Sequence, residues 1–312
     1  MVALLVASIG GHLTELLQLR PRLDVGSVVW VTNESPQSRS LLEGEQVEWM
    51  PYVAPRDART ATRLLPRAWG LTGSPGVDLV ISTGSAIAVP FLTMAAARRR
   101  PAFYIESATR VDGPSLTGRM LARVPGVQLR TQSPGWADER WKYVGSVFDG
   151  WTAVHQESRE VRKLVISLGT MQRYQFRALV DRLMEIIPPT VEVLWQVGNT
   201  DVSDLQIEAR TGVPSTEMRA AMQMADAVVA HAGVGAALSA LEIGKCPVLV
   251  PRRASRNEHV DDHQQQIADR LGRAGLAVIS DVETLTWDHV NEAAARKVLS
   301  RIDGPAIQLQ CS

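Results

Sequence analysis

The segment KLVISLGT (163–170) restarts a pattern already used by LLVASIGG (4–11), an apolar β-branched run that ends in a glycine turn. Between these points VALLVAS precedes a helical pattern through LTELLQL, SVVWVT precedes SRSLLEG, and DLVIST precedes AIAVPFLTMAAARRR. In the second half VEVLWQV, AVVAHAG, PVLVP and LAVIS alternate with helical segments at 235–244 and 262–273. Strands that alternate with helices pair in parallel, because a parallel neighbour needs a crossover long enough to hold a helix. The expected fold is α/β, with two doubly wound domains.

A chain of 312 residues is long enough for two cores of ordinary size. The stretch 143–163 is polar, carries Gly145 and Gly150 and has no clear period, so the boundary is expected near 150, giving domains 1–150 and 151–312. The closing segment WDHVNEAAARKVLSRI reads as one helix that could pack back on the first domain.

The 33 Lys and Arg balance 33 Asp and Glu, so the formal charge is zero and a general nucleic-acid partner is disfavoured. Between residues 50 and 130, however, eleven Arg face four acids, a surplus of 11 − 4 = +7. Cys246 and Cys311 form neither a disulfide framework nor a metal-ligand spacing, which fits a reducing cytosol. The apolar run 86–97 falls short of the roughly 20 residues that a membrane span requires, and no secretory leader is expected.

The sharpest chemical signal is HAGVGAALSALEIGKCPVLVP (231–251), a strand followed by His231, Gly233, Gly235 and a helix. Small residues at a helix start leave N–H groups open to an anion, and the aligned peptide dipoles favour negative charge. Glu242 lies seven residues beyond Gly235, roughly 10 Å of helix, about the span from a nucleoside diphosphate's phosphates to its ribose. The same residues also suit an ordinary tight turn and a solvated acid. Gly244-Lys245 is followed by Cys246 and position 239 is Ser, so this is no Walker A loop. Gly10, Gly11 and His12 do not complete a dinucleotide fingerprint, which disfavours NAD.

SLGT (167–170), HAGVG (231–235), Glu242 and NEHVDDHQQQIADRL (257–271) resemble the catalytic subunit of the two-subunit UDP-GlcNAc transferase of the eukaryotic dolichol pathway. ASIGGHLTEL (7–16), STGSAIAVPF (82–91) and YIESATRVDGPSLTGRML (104–121) resemble its partner subunit. Bacterial capsule and exopolysaccharide glycosyltransferases share these motifs, and the muramyl-pathway GlcNAc transferase is a more distant relative with the GT-B fold. The resemblance implies a single-chain fusion of both subunits, without the partner's membrane anchor, built as two Rossmann-like domains facing a cleft.

It further implies an inverting glycosyltransferase that moves a hexose or hexuronic acid from a UDP-sugar to a lipid-phosphate-linked acceptor. Gly169, Thr170, His231, Gly233, Val234 and Gly235 would hold the diphosphate, and Glu242 the ribose. Asp262, His263, Gln264 and Gln265 would read the sugar hydroxyls. Arg252, Arg253 and Arg256 lie close in sequence to that pocket and are candidates for a donor carboxylate or phosphate. On the acceptor side stand Gly10, Gly11, Thr83, Gly84 and Ser85, with His12 as general base at an expected pKa near 6.5 and Glu106 as the rival base. No Asp-x-Asp occurs in the chain, so no metal or other cofactor is expected.

Arg56, Arg59, Arg63 and Arg67 fall on one helical face with Trp69 beyond, which suits an anionic bilayer. The run 86–97, closed by Arg98, Arg99 and Arg100, could either dip into the interface or form a buried helix. The expected location is cytoplasmic, peripheral on the cytoplasmic face of the membrane. A UDP-sugar 2-epimerase of the same fold and a non-catalytic UDP-sugar-binding partner are the alternatives.

Overall fold

The computed structural model describes residues 2–54, 57–157, 159–169, 174–259, 263–300, 306, 307 and 309, with His263 described by its backbone alone. The chain divides into two compact units, Met1–Asp149 with Gly304–Ser312, and Gly150–Asp303.

The first unit runs β1 (Val2–Ala7), α1 (Gly11–Leu19), β2 (Ser27–Asn33), α2 (Pro36–Leu41), β3 (Val47–Met50), α3 (Ala58–Arg63), α4 (Leu65–Thr72) and β4 (Val77–Gly84). It continues with α5 (Ala88–Ala97), β5 (Ala102–Ile105), α6 (Leu116–Leu121), β6 (Val127–Thr131) and β7 (Trp141–Tyr143). The strands form one seven-stranded parallel sheet in the order β3-β2-β1-β4-β5-β6-β7. VALLVA is apolar throughout because β1 lies mid-sheet, with five of its six residues buried. Leu4, Val6, Val31, Val80 and Tyr104 pack with Phe91 and Leu92 of α5 in a single core. Each side chain of this size contributes about 1.5–3 kcal/mol by leaving water. The run 86–97 is therefore a core helix, with Ala88, Pro90, Phe91, Leu92 and Ala95 buried.

The arginine stripe does not follow one helix. Pro66 lies in the first turn of α4, a separate helix after α3 ends at Arg63, and the junction residue Leu64 is buried. Arg59, Arg63 and Arg67 are exposed, Arg67 pairs with Glu48, and the Arg98 guanidinium lies 3.7 Å from the centre of the Trp69 ring. Arg56 lies outside the described residues.

The second unit contains β8 (Trp151–His155), β9 (Lys163–Ser167), α7 (Arg177–Ile186), β10 (Glu192–Gln196), β11 (Ala209–Arg210), α8 (Ser215–Met224), β12 (Ala227–His231) and α9 (Val234–Glu242). It closes with β13 (Val248–Val250), α10 (His263–Arg273), β14 (Val278–Ile279), α11 (Trp287–Ala294) and β15 (Arg296–Ser300). Its main sheet is parallel in the order β11-β10-β9-β12-β13-β14. Val165, Val228, Met222, Ala225 and Ala240 form a core between this sheet and α8 and α9.

The closing helix is shorter than its sequence suggests, and it lies on the second unit. After Ala294 the chain becomes β15, which pairs antiparallel with β8 from Arg296–His155 to Ser300–Trp151. β15 supplies partners for the backbone groups of β8, and Val298 at its centre is buried. The first unit is instead joined by Ile307, whose N–H donates to the Arg22 carbonyl at 2.9 Å, and by Leu309, whose carbonyl accepts from Arg130. Among the described residues no helix is long and apolar enough to cross a membrane.

Candidate active site

Each parallel sheet has one place where the strand order reverses, between β1 and β4 and between β9 and β12. Connections leave in opposite directions there, and the crevice outside the carboxyl ends of the strands admits a ligand. Both places carry a glycine turn and a histidine.

At the first, Gly10 has φ 86° and ψ −140°, with nothing where its Cβ would lie. Conformation, rather than crowding, requires glycine there. It leaves the start of α1 without a side-chain cap. The β1–β4 ladder pairs Val6 with Ser82 and Ala7 with Gly84, so Thr83 is bulged out. Its carbonyl oxygen lies 3.0 Å from His12 Nδ1, and its hydroxyl donates to the His12 carbonyl at 2.9 Å. A carbonyl only accepts, so Nδ1 carries the proton and Nε2 keeps its lone pair. A Cβ on Gly84 (φ +126°) would come within 3.0 Å of His12 Cε1. The next residue, Ser85, holds φ 70°, a left-handed conformation that costs a non-glycine residue about 1–3 kcal/mol and persists where the surroundings enforce it. Burial lowers the His12 pKa to about 4, against the Thr83 hydrogen bond and with the Arg110 charge adding to it. The ring is thus neutral across the physiological range, well below the expected 6.5.

Glu106 is only 1% exposed, and both of its oxygens are engaged. Oε1 accepts from Tyr104 Oη at 2.9 Å, and Oε2 accepts from the Ser115 N–H and hydroxyl at 2.9 and 3.0 Å. Ser115 in turn caps α6. Burial raises its pKa, while Ser115 and Tyr104 oppose the rise. This is the geometry of an internal brace.

Sequence reasoning missed Glu15, one turn beyond His12 and 0% exposed. Its Oε1 accepts from the Ala108 N–H at 2.7 Å and from Gln132 Nε2 at 2.6 Å. Gln132 also donates to the Glu106 carbonyl and accepts from the Val147 N–H. Burial pushes the Glu15 carboxyl up to about 7, against its hydrogen bonds to Ala108, Ser107 and Gln132. An acid among the apolar residues of LTELLQL was the available signal.

At the second switch point His231 ends β12, with Nδ1 3.2 Å from the Ser167 carbonyl oxygen at the end of β9. The imidazole fills the space above two glycines. A Cβ on Gly169 (φ +76°) would approach His231 Cε1 to 2.7 Å, and one on Gly233 would run into Nε2. Gln196 braces the turn, taking the Gly169 N–H at 3.2 Å on Oε1 and giving Nε2 to the Gly169 carbonyl at 2.7 Å. A glutamine at the carboxyl end of an apolar strand is the signal that went unread. Burial takes the His231 pKa down to about 3; the Arg252 charge lowers it further and the Ser167 carbonyl opposes. Gly233 is the N-cap of α9 and offers no side-chain acceptor, so the first N–H groups of α9 remain for a ligand. Val234 is buried, and the partly exposed face of α9 carries Gly235, Ser239 and Glu242. Glu242 Oε2 accepts from Arg219 at 3.2 Å.

The three arginines near the predicted sugar pocket all have protein partners. Arg253 pairs with Asp281 and Arg256 with Glu283, while Arg252 is buried and donates to main-chain carbonyls. Gln264 is buried too, its Oε1 accepting the Arg252 N–H at 3.0 Å. Gln265 donates to Asp269 at 2.6 Å. Thr170 and Asp262 lie outside the described residues, and His263 opens α10.

Residues 164–294 match the glycosyltransferase family 28 C-terminal domain. The UDP-N-acetylglucosamine--N-acetylmuramyl-(pentapeptide) pyrophosphoryl-undecaprenol N-acetylglucosamine transferase of Bordetella parapertussis is 24% identical over 322 residues, covering 91% of this chain and 85% of that protein. The enzyme of the same name from Salinibacter ruber is 27% identical over 238 residues, covering 70% and 62%. In architecture the chain is similar to the crystal structure of Acinetobacter baumannii MurG, with a TM-score of 0.58 at 19% identity over 93% of this chain and 88% of that one.

Proposed function

We propose that this glycosyltransferase, GT-B in fold and carrying a family 28 domain over residues 164–294, transfers a sugar from a UDP-sugar to a lipid-phosphate-linked acceptor with inversion. One observation carries the reading: the uncapped start of α9 stands beside a neutral histidine that is seated between Gly169 and Gly233. That arrangement suits a nucleoside diphosphate, with the α- and β-phosphates against the first N–H groups of α9 and the ribose along Gly235, Ser239 and Glu242. The curated relatives are named for a UDP-N-acetylglucosamine donor and an undecaprenol-linked acceptor. Since Arg252, Arg253 and Arg256 are all committed to the protein, N-acetylglucosamine is favoured over a uronic acid.

In the proposed reaction His12 Nε2 takes the proton of the acceptor hydroxyl. The hydroxyl oxygen bonds to the anomeric carbon from the face opposite UDP, and the carbon–oxygen bond to the β-phosphate breaks with its electron pair passing to UDP. The departing charge is met by the start of α9 rather than by a metal ion. Gly10, Gly11, Thr83, Gly84 and Ser85 line the acceptor side, and Glu106 braces the adjoining loop. The first unit then acts as the acceptor half and the second as the donor half within one chain, peripheral on the cytoplasmic face of the membrane.

Calorimetric titration with UDP tests the donor site. Wild-type protein should bind, and the variants Ser239→Ala and Glu242→Ala should divide the ribose contribution between them. Unchanged affinity in the double variant would remove α9 from the site. Turnover of UDP-N-acetylglucosamine that needs the lipid acceptor separates transfer from 2-epimerisation, and turnover that survives EDTA supports metal independence.

A further inference from the structure

Arg252 follows β13 at its carboxyl end and is 3% exposed. Its guanidinium donates to four main-chain carbonyls, Leu168 at 2.8 Å, Gln175 at 3.1 Å, Glu258 at 3.2 Å and Tyr174 at 3.3 Å. The group also lies 5.0 Å from the centre of the Phe176 ring. Its own N–H goes to Gln264 Oε1, while the Glu258 carboxylate accepts the N–H of Arg253. Three stretches meet at this one side chain: the end of β9 with Gly169 beyond it, residues 174–176, and Glu258.

A guanidinium leaves water at considerable cost and is ordinarily repaid by a carboxylate. Here neutral carbonyl dipoles satisfy its hydrogens, and the Glu258 carboxylate favours its charge only through space. That charge lies close enough to His231 to oppose its protonation. Only a planar fork with several fixed N–H directions can reach carbonyls on separate segments at once; an ammonium concentrates three donors on one atom.

We propose that Arg252 is a positioning residue for the donor nucleotide. Its fork ties the Leu168 carbonyl, next to Gly169, to the carbonyls of Tyr174, Gln175 and Glu258, and its charge attracts the diphosphate without touching it. This rests on the reading of the second unit as the donor-binding half.

The test compares Arg252→Lys, which keeps the charge and loses the fork, with Arg252→Ala, which loses both. Each is assayed by UDP titration, by KM for donor and acceptor separately, and for rescue by millimolar guanidinium. For the Lys variant we expect UDP Kd and donor KM to rise on the order of tenfold with acceptor KM unchanged. The Ala variant should lose more, and free guanidinium should restore part of its affinity. A folded Lys variant with wild-type UDP affinity, or donor and acceptor KM rising together, would overturn the proposal. Should the Ala variant fail to fold, the Lys variant decides alone. Wild-type protein that does not bind UDP would instead sink the donor-site reading itself.

Discussion

His231 holds its Nδ1 3.2 Å from the carbonyl oxygen of Ser167, bridging the two strands at which the second sheet reverses its order. His12, in the first turn of α1, makes the matching contact to the Thr83 carbonyl of β4 at 3.0 Å. In both cases the carbonyl fixes the proton on Nδ1. The glycines beside each ring make room for the imidazole.

That dependence makes Gly233 and His231 one functional unit. Gly233→Ala must push the ring off its seat, so its loss of UDP affinity should approach that of His231→Ala, roughly 10- to 100-fold. The double variant should lose no more than the worse single one. Additive losses in the titrations would mean that the two residues act separately.

His12→Ala should lower kcat by roughly 100-fold or more while leaving UDP affinity intact. With the ring's pKa lowered to about 4 by burial, the base form is present throughout the neutral range. Activity should thus stay flat on acidification through pH 6.5 and fall only as the pH approaches the lowered value. A pH–rate profile whose acid limb is centred at 6.5 would contradict the buried geometry, and full activity in the variant would remove His12 from the reaction.

Glu15→Gln should change how stability depends on pH. The carboxyl moves from an ordinary 4.5 to about 7 in the folded chain, so between those values the folded state holds a proton that the unfolded state has released. Its contribution is full below 4.5 and is lost as pH rises through 7. Glutamine has no charge to bury. The variant should gain relative to wild type between pH 5 and pH 8, by at most about 3 kcal/mol. Urea unfolding at the two pH values measures this, and a constant difference would show that Glu15 is not titrating there.

Arg59→Glu with Arg63→Glu should weaken binding to vesicles containing anionic lipid, and leave the scant binding to neutral vesicles unchanged. Each basic residue near such a surface is worth about 1 kcal/mol, so the double reversal should cost well over tenfold in partition coefficient at low salt. Equal partitioning of variant and wild type in a sedimentation assay would move the membrane contact elsewhere.

The doubly wound architecture was legible from the chain because parallel buried strands write themselves as unbroken apolar runs, as VALLVA and AVVAH do. The glycine turns with His12 and His231 were legible for the same reason, lying where those runs stop. Less visible was the pairing of β8 with β15, since short alternating strands such as WTAVH resemble linker and the end of α11 resembles more helix. The partners of the arginines after β13 were not legible, because adjacency in sequence to a pocket says nothing about which way a long side chain turns.

By itself, then, the order of residues determined the layers, the turns and the chemical types available at them, all of which depend on local periodicity and on glycine. Only the folded arrangement decided which groups are spent holding the site together. Glu106, Glu15 and Arg252 acquire their roles from burial and from partners elsewhere in their own unit, and those partners exist only once the strand ends of each sheet have been brought side by side.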